Sequence, residues 1–92
     1  MSTKKFSESI EKSFKNVELL FQGMLNDRSV PRNIKRIAQR GIGMIQGKED
    51  TPGLISSSIL SMVEDLSQDP NIPFHSRSVI YRIISILETI KD

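Results

Sequence analysis

The sequence predicts an all-α protein: a four-helix up-and-down bundle built from two repeated antiparallel helical hairpins, with a two-unit HEAT-like stack as the alternative. Three observations predict it. Apolar residues recur at intervals of three and four in four stretches, the spacing that gathers side chains on one helical face. Three of those stretches begin at a proline, Pro31, Pro52 or Pro73, a residue suited to the first helical position because its missing N–H would be unpaired there anyway. Sliding the chain over itself by 42 residues lays its second half on its first.

The first stretch runs from about Ser7 to Leu25, with Ile10, Phe14, Val17, Leu20, Phe21 and Met24 inward and Lys12, Lys15, Glu18 and Gln22 outward. The second, from about Pro31 to Gln46, turns Ile34, Ile37, Ala38, Gly41 and Ile45 inward, and Gly47 is its expected stop. Thr51 is placed to cap the third, whose inner face is Ile55, Ile59, Met62, Val63 and Leu66. The fourth runs from Pro73 to about Ile90. Its apolar residues Val79, Ile80, Ile83, Ile84, Ile86, Leu87 and Ile90 span roughly 160° of the helical wheel, wide enough for two neighbours, or for one neighbour and a second subunit. Isoleucine favours strands, but these tracts lack the two-residue alternation a strand needs.

The 42-residue shift pairs Val17 with Ile59, Phe21 with Val63, Met24 with Leu66, Ile45 with Leu87 and Arg40 with Arg82. It also lays Asp27-Arg28-Ser29-Val30-Pro31 on Asp69-Pro70-Asn71-Ile72-Pro73. In one reading Val30 and Ile72 plug the space between two helices and Pro31 and Pro73 start the second helix. Asp27 and Asp69 then accept hydrogen bonds from that helix's unpaired N–H groups. Two unrelated hairpins sharing a common turn are the other reading, and both give the same fold. The chain is expected to be one domain, 1–92, with hairpin 1 over about 7–46, a linker over 47–51 and hairpin 2 over about 52–90.

Each unit resembles a degenerate HEAT-type helical hairpin. The whole chain more closely resembles the archaeal uncharacterised protein family 0147, through Asp27-x-x-Val30-Pro31-Arg32-x-Ile34-Lys35-Arg36 and Ser67-x-Asp69-Pro70-Asn71-x-Pro73. That resemblance spans roughly residues 14 to 90 and implies a compact four-helix bundle of archaeal, cytoplasmic origin. It implies no activity, and its motifs are turn motifs.

Composition narrows the function. The 92 residues contain no cysteine, which excludes disulfides, thiolate nucleophiles and Cys-ligated metals and makes a reducing cytoplasm the natural compartment. The polar start, Met1 to Ser9, lacks the apolar run of a signal peptide, and no stretch approaches a membrane-spanning length, so secretion and membrane association are not expected. The net charge is only +2, yet five basic residues and no acidic ones lie between Arg28 and Arg40. From Glu49 to Asp69 the balance reverses, with five acidic residues and no lysine or arginine.

No catalytic, cofactor or metal set emerges. His75, the one histidine, has Asp69 close in sequence but no further ligand or nucleophile, and reads as a surface or capping residue. Glu64 and Asp65 are adjacent, about 100° apart on a helix, and cannot face one another across a substrate. A Lys or Arg from the neighbouring hairpin is a possible offset to their charge. Gly43-x-x-x-Gly47-Lys48 has one residue too few for a phosphate loop and ends a helix; Gly41 and Gly43 read instead as a close approach to another backbone.

The best candidate is the set Arg28, Arg32, Lys35, Arg36 and Arg40, able to neutralise phosphates but without interleaved aromatics; the competing reading is a solvated face paired with the chain's own acidic segment. Leu19 and Leu60, off the inner faces, hint at a partner or dimer surface. The leading expectation is a non-enzymatic module that binds a protein partner or itself. The alternative is an RNA- or DNA-binding accessory protein using the basic second helix, and an enzyme ranks third.

Overall fold

The structure, a computed structural model, describes residues 6–92. Met1 to Lys5, over half of the polar start read from the sequence, lie outside the described residues. Those residues form four helices and no strand: α1 (Glu8–Leu25), α2 (Arg32–Gly47), α3 (Pro52–Ser67) and α4 (Phe74–Leu87). Ser7 caps α1 by accepting the Ile10 N–H, and Thr51 caps α3 by accepting the Leu54 N–H, with Pro52 in the first turn as expected. The carboxylate of Asp92 accepts the Gly53 N–H at 2.8 Å, seating the end of the chain on the N-terminus of α3, where the helix dipole favours an anion.

Helix α1 packs on α2 and α4, and α3 packs on the same two, so the helices close into a square of antiparallel neighbours. A HEAT-like stack would instead lay α1 beside α3, and the square excludes it. The wide apolar arc of α4 is divided between neighbours: Val79 and Ile86 face clefts shared with α1, while Ile84 faces the concavity shared with α3. Most inner-face residues are buried as expected, but Ile10, Leu20, Ile37, Met62, Val79, Ile84 and Ile86 only flank the core. Ile42 joins the core, and helix α4 stops at Leu87, three residues before the expected Ile90. Ile90 is still buried, because the turn through Glu88 and Thr89 folds it back.

Repeat-related positions fill the core unequally. Phe14 and Ile34 are buried in hairpin 1 where hairpin 2 has the buried Ser56 and Ser76. Phe21 and Gly41 stand where hairpin 2 has Val63 and Ile83. Since α1 and α3 run the same way, as do α2 and α4, a large residue of one copy shares its layer with a small one of the other. Such volume exchange is how a close-packed interior admits two non-identical repeats. What lies nearest Gly41 is a side chain, where the sequence suggested another backbone. A Cβ there would lie 2.6 Å from Cε2 of Phe21, so the glycine makes room for a ring. Gly43 faces open space.

The ends of α2 and α4 differ from expectation. Gly47 is the last residue of α2, and the left-handed residue behind it is Lys48, at φ 48°. The side chain of Lys48 offsets that conformation by returning to α1: its Nζ lies 2.6 Å from Glu11 and 5.4 Å from the centre of the Phe6 ring. Pro31 and Pro73 occupy the extended position just before α2 and α4, half-buried, and no side chain caps either helix start with a hydrogen bond. Asp27 and Asp69 do not cap them either. Asp27 accepts the Ser29 N–H at 2.9 Å and the Ser29 hydroxyl at 2.7 Å, and Asp69 accepts the Asn71 N–H at 2.9 Å. Each carboxylate thus closes its own loop two residues ahead, a geometry available to aspartate before it reaches the helix. Val30 and Ile72 are buried under these loops, as the plug reading requires.

The Ser29 hydroxyl, then the Ser29 N–H, hold the Asp27 carboxyl below its ordinary value of 3.8, with lesser help from the charges of His75 and Lys35. A carboxyl that ionises more readily folded than unfolded contributes stability above that ordinary value and loses it as pH falls through the folded one. In Ser29→Ala, the Asp27 carboxyl followed by NMR titration is expected to move up towards 3.8, and the acid limb of the stability profile to shift with it. Gly41→Ala is expected to destabilise by about 1–2 kcal/mol in urea unfolding, because Phe21 is buried and overpacking exceeds the gain in helix propensity. Gly43→Ala, with open space around it, is expected to stabilise by about 0.5–1 kcal/mol.

Candidate functional site

The basic candidates divide into two groups. Arg32, Arg36 and Arg40 follow one another at four-residue steps on the solvent face of α2, about 6 Å apart along the axis. Arg28, exposed in the preceding loop, lies beyond their N-terminal end. Lys35 belongs elsewhere. It is half-buried, its charge acts on Asp27, and its repeat counterpart Arg77 reaches the equivalent loop, donating to the Asp69 carbonyl at 3.0 Å. Arg77 therefore holds its turn by a hydrogen bond, while Lys35 acts on its own turn through charge alone.

The chain's own acidic segment does not cover the ridge. Among the described residues no ion pair closes on Arg28, Arg32, Arg36 or Arg40. Glu64 and Asp65 line an open concavity between α3 and α4 with Tyr81, and no Lys or Arg salt bridge offsets them among the described residues. Among the described residues the pairing suggested from the sequence does not form, and Glu64 and Asp65 border α4 instead.

The repeat supplies an internal control. The positions equivalent to Arg32, Arg36 and Arg40 are Phe74, Ser78 and Arg82. All six are exposed on corresponding helices. Hairpin 2 forms the same architecture with one of the three charges, so the fold does not require the ridge.

The remaining candidates resolve simply. His75 is exposed in the first turn of α4, and its charge acts on Asp27 of the other hairpin. Among the described residues no three His, Asp or Glu side chains gather to hold a metal, and no helix is long and apolar enough to cross a membrane. Leu60 packs against the core, whereas Leu19 is 57% exposed. Leu54, Phe74 and Tyr81 are exposed apolar residues that periodicity did not single out.

Sequence reasoning also missed Ser56 and Ser76. Ser56 donates to the Leu87 carbonyl at 2.6 Å, whereas the Ser76 Oγ is buried with no hydrogen-bond partner. A signal existed, because both serines fall on the inward period of their helices, with Ile59 and Val63 in α3 and Ile80 and Ile83 in α4. Ser76 lines a cleft of about 170 Å³ between the end of α1 and the start of α4, together with Asp27, His75 and Gly23.

Comparison with known proteins agrees with this architecture. The sequence profile of the Uncharacterised protein family (UPF0147) matches residues 1–90. The UPF0147 protein of Saccharolobus solfataricus is 43% identical over 82 residues, covering 89% of this chain and 92% of its own. The UPF0147 protein of Pyrococcus furiosus is 36% identical over 75 residues, covering 82% and 81%. A crystal structure of a UPF0147 protein from Thermoplasma acidophilum superimposes with a TM-score of 0.83 at 30% identity, over 90% of this chain and 99% of that one. Another, of a protein described as of unknown function, gives a TM-score of 0.83 at 33% identity over 98% and 100%. With the loop motifs, the helical square and these relatives in agreement, the chain belongs to the archaeal uncharacterised protein family UPF0147.

Proposed function

We propose that the protein is a non-enzymatic binding module of the cytoplasm that takes nucleic acid on the Arg32, Arg36 and Arg40 ridge of α2. One observation carries the reading: three exposed arginines occupy positions that the same fold fills in its other half with phenylalanine, serine and arginine. Charges that the architecture does not need, and that no described acidic residue neutralises, are available to a polyanion. Helix α2 carries no aromatic side chain on which bases stack. Contact is therefore with phosphates, salt-dependent and largely blind to sequence.

A protein-partner or self-association reading ranks second, favoured by Phe74, which is 85% exposed. It ranks lower because the exposed apolar residues are spread over α1, α3 and α4.

Fluorescence anisotropy with labelled RNA and DNA at stepped salt tests the first reading. Arg32→Glu/Arg36→Glu/Arg40→Glu is expected to weaken binding at least about tenfold and to lower the salt slope by about 2–3, the share of three phosphate contacts. An isotherm unchanged in the variant, or no binding at low salt, overturns the reading. A dimer in light scattering that dissociates in Phe74→Ser would favour the second.

A further inference from the structure

We propose that a second copy of this chain docks in the groove between α1 and α4, the two copies related by a two-fold axis that sets Leu19 of each against Gly23 of the other. The groove consists of two hollows of about 170 and 350 Å³ that share Leu19 and Leu20 and carry Val79 and Ile86 on the α4 side. Leu19 is 57% exposed at its lip. Gly23, one turn further along α1, leaves open space, since a Cβ there would meet nothing within 4 Å. The repeat marks both residues as dispensable to the fold: hairpin 2 has exposed Ser61 and Asp65 at the equivalent positions. A single exposed leucine is ordinary, but a leucine, a helix-interior glycine and a half-buried apolar floor along one groove form a surface suited to a partner.

Shape and charge each point to the same occupant. A projecting side chain and a gap about 6 Å apart on one helix exchange places when that helix is reversed about the midpoint between them, which is the operation of a two-fold axis. Leu19 then fills the partner's gap at residue 23, and the partner's Leu19 returns the contact. The same reversal acts on charge. Arg82 borders the Leu19 end of the groove and Lys15 stands one turn before Leu19, whereas Asp27 borders the Gly23 end. Reversal lays each Asp27 at the other copy's basic end, and among the described residues none of the three closes an ion pair within its own chain. His75 and Lys35 also act on Asp27 from within the molecule, so the rim charges orient the pair and the leucines supply the affinity. A contact of this kind closes at two copies. The α2 ridge borders neither hollow, so the contact does not depend on nucleic-acid binding.

Sedimentation equilibrium of the nucleic-acid-free protein tests the contact, and a monomer–dimer equilibrium in the micromolar range is expected. Leu19→Glu, a change at an exposed position, is expected to keep its urea midpoint yet weaken the dimer at least about thirtyfold, because it acts twice across the axis. Lys15→Glu/Arg82→Glu is expected to weaken it about threefold to tenfold. Phe74→Ser and Arg32→Glu/Arg36→Glu/Arg40→Glu are expected to dimerise like the wild type, so failure of this contact and failure of the nucleic-acid reading are told apart. Register is read by crosslinking: the chain has no cysteine, so Leu19→Cys and Gly23→Cys each hold one thiol. Their mixture is expected to oxidise to a covalent dimer at least about tenfold faster than either variant alone, since positions 19 and 23 face across the axis while like positions lie beyond the roughly 7 Å that a disulfide spans. A monomer at every concentration, a dimer untouched by Leu19→Glu or lost in Phe74→Ser, or a mixture that crosslinks no faster overturns the proposal.

Discussion

The ring of Phe21 lies where a side chain on residue 41 would have to be, and the arrangement of hairpin 1 follows from that contact. A helix-interior glycine gives up roughly 1 kcal/mol of propensity relative to alanine. Here the loss admits a large, fully buried aromatic that reaches across to α2. The second copy uses Val63 and Ile83 at the same two positions, with no glycine. Phe14 and Ile34 against Ser56 and Ser76 show the same exchange at both ends of the bundle. The two hairpins are thus alike in backbone and complementary in volume, which is what allows them to share one core.

The repeat that organises the interior also sorts the surface. Residues serving the architecture recur: the loop aspartates and the plugs Val30 and Ile72. Residues that do not recur have no such explanation. Arg32 and Arg36 face Phe74 and Ser78 in this comparison, and Leu19 and Gly23 stand where hairpin 2 has Ser61 and Asp65. Departure from the internal symmetry is therefore the clearest marker of surface chemistry in a chain without cysteine or a metal-holding cluster among its described residues.

Four helices, their inner faces and the two proline-headed loops were legible in the sequence, because spacing and the 42-residue shift report directly on backbone period. The partners of Asp27 and Asp69 were not, since an aspartate reaches its own loop and the following helix equally well on paper. Lys48 was hidden behind Gly47 because glycine is the usual left-handed residue, and only the folded chain brings Glu11 and Phe6 close enough to hold a lysine there. The five-residue basic run looked uniform along the chain. Burial separates Lys35 from the ridge, and the direction in which α3 presents Glu64 and Asp65 was beyond a one-dimensional reading. The groove between α1 and α4 is assembled from both hairpins, and no local pattern announces it.

The account stands on exchangeable volume between repeat-related positions, and a double-mutant cycle measures that most directly. Giving hairpin 1 the pair of hairpin 2, Phe21→Val with Gly41→Ile, is expected to recover at least half of the stability lost by the two single variants summed, as read in urea unfolding. Losses that simply add, with no coupling between positions 21 and 41, would contradict it.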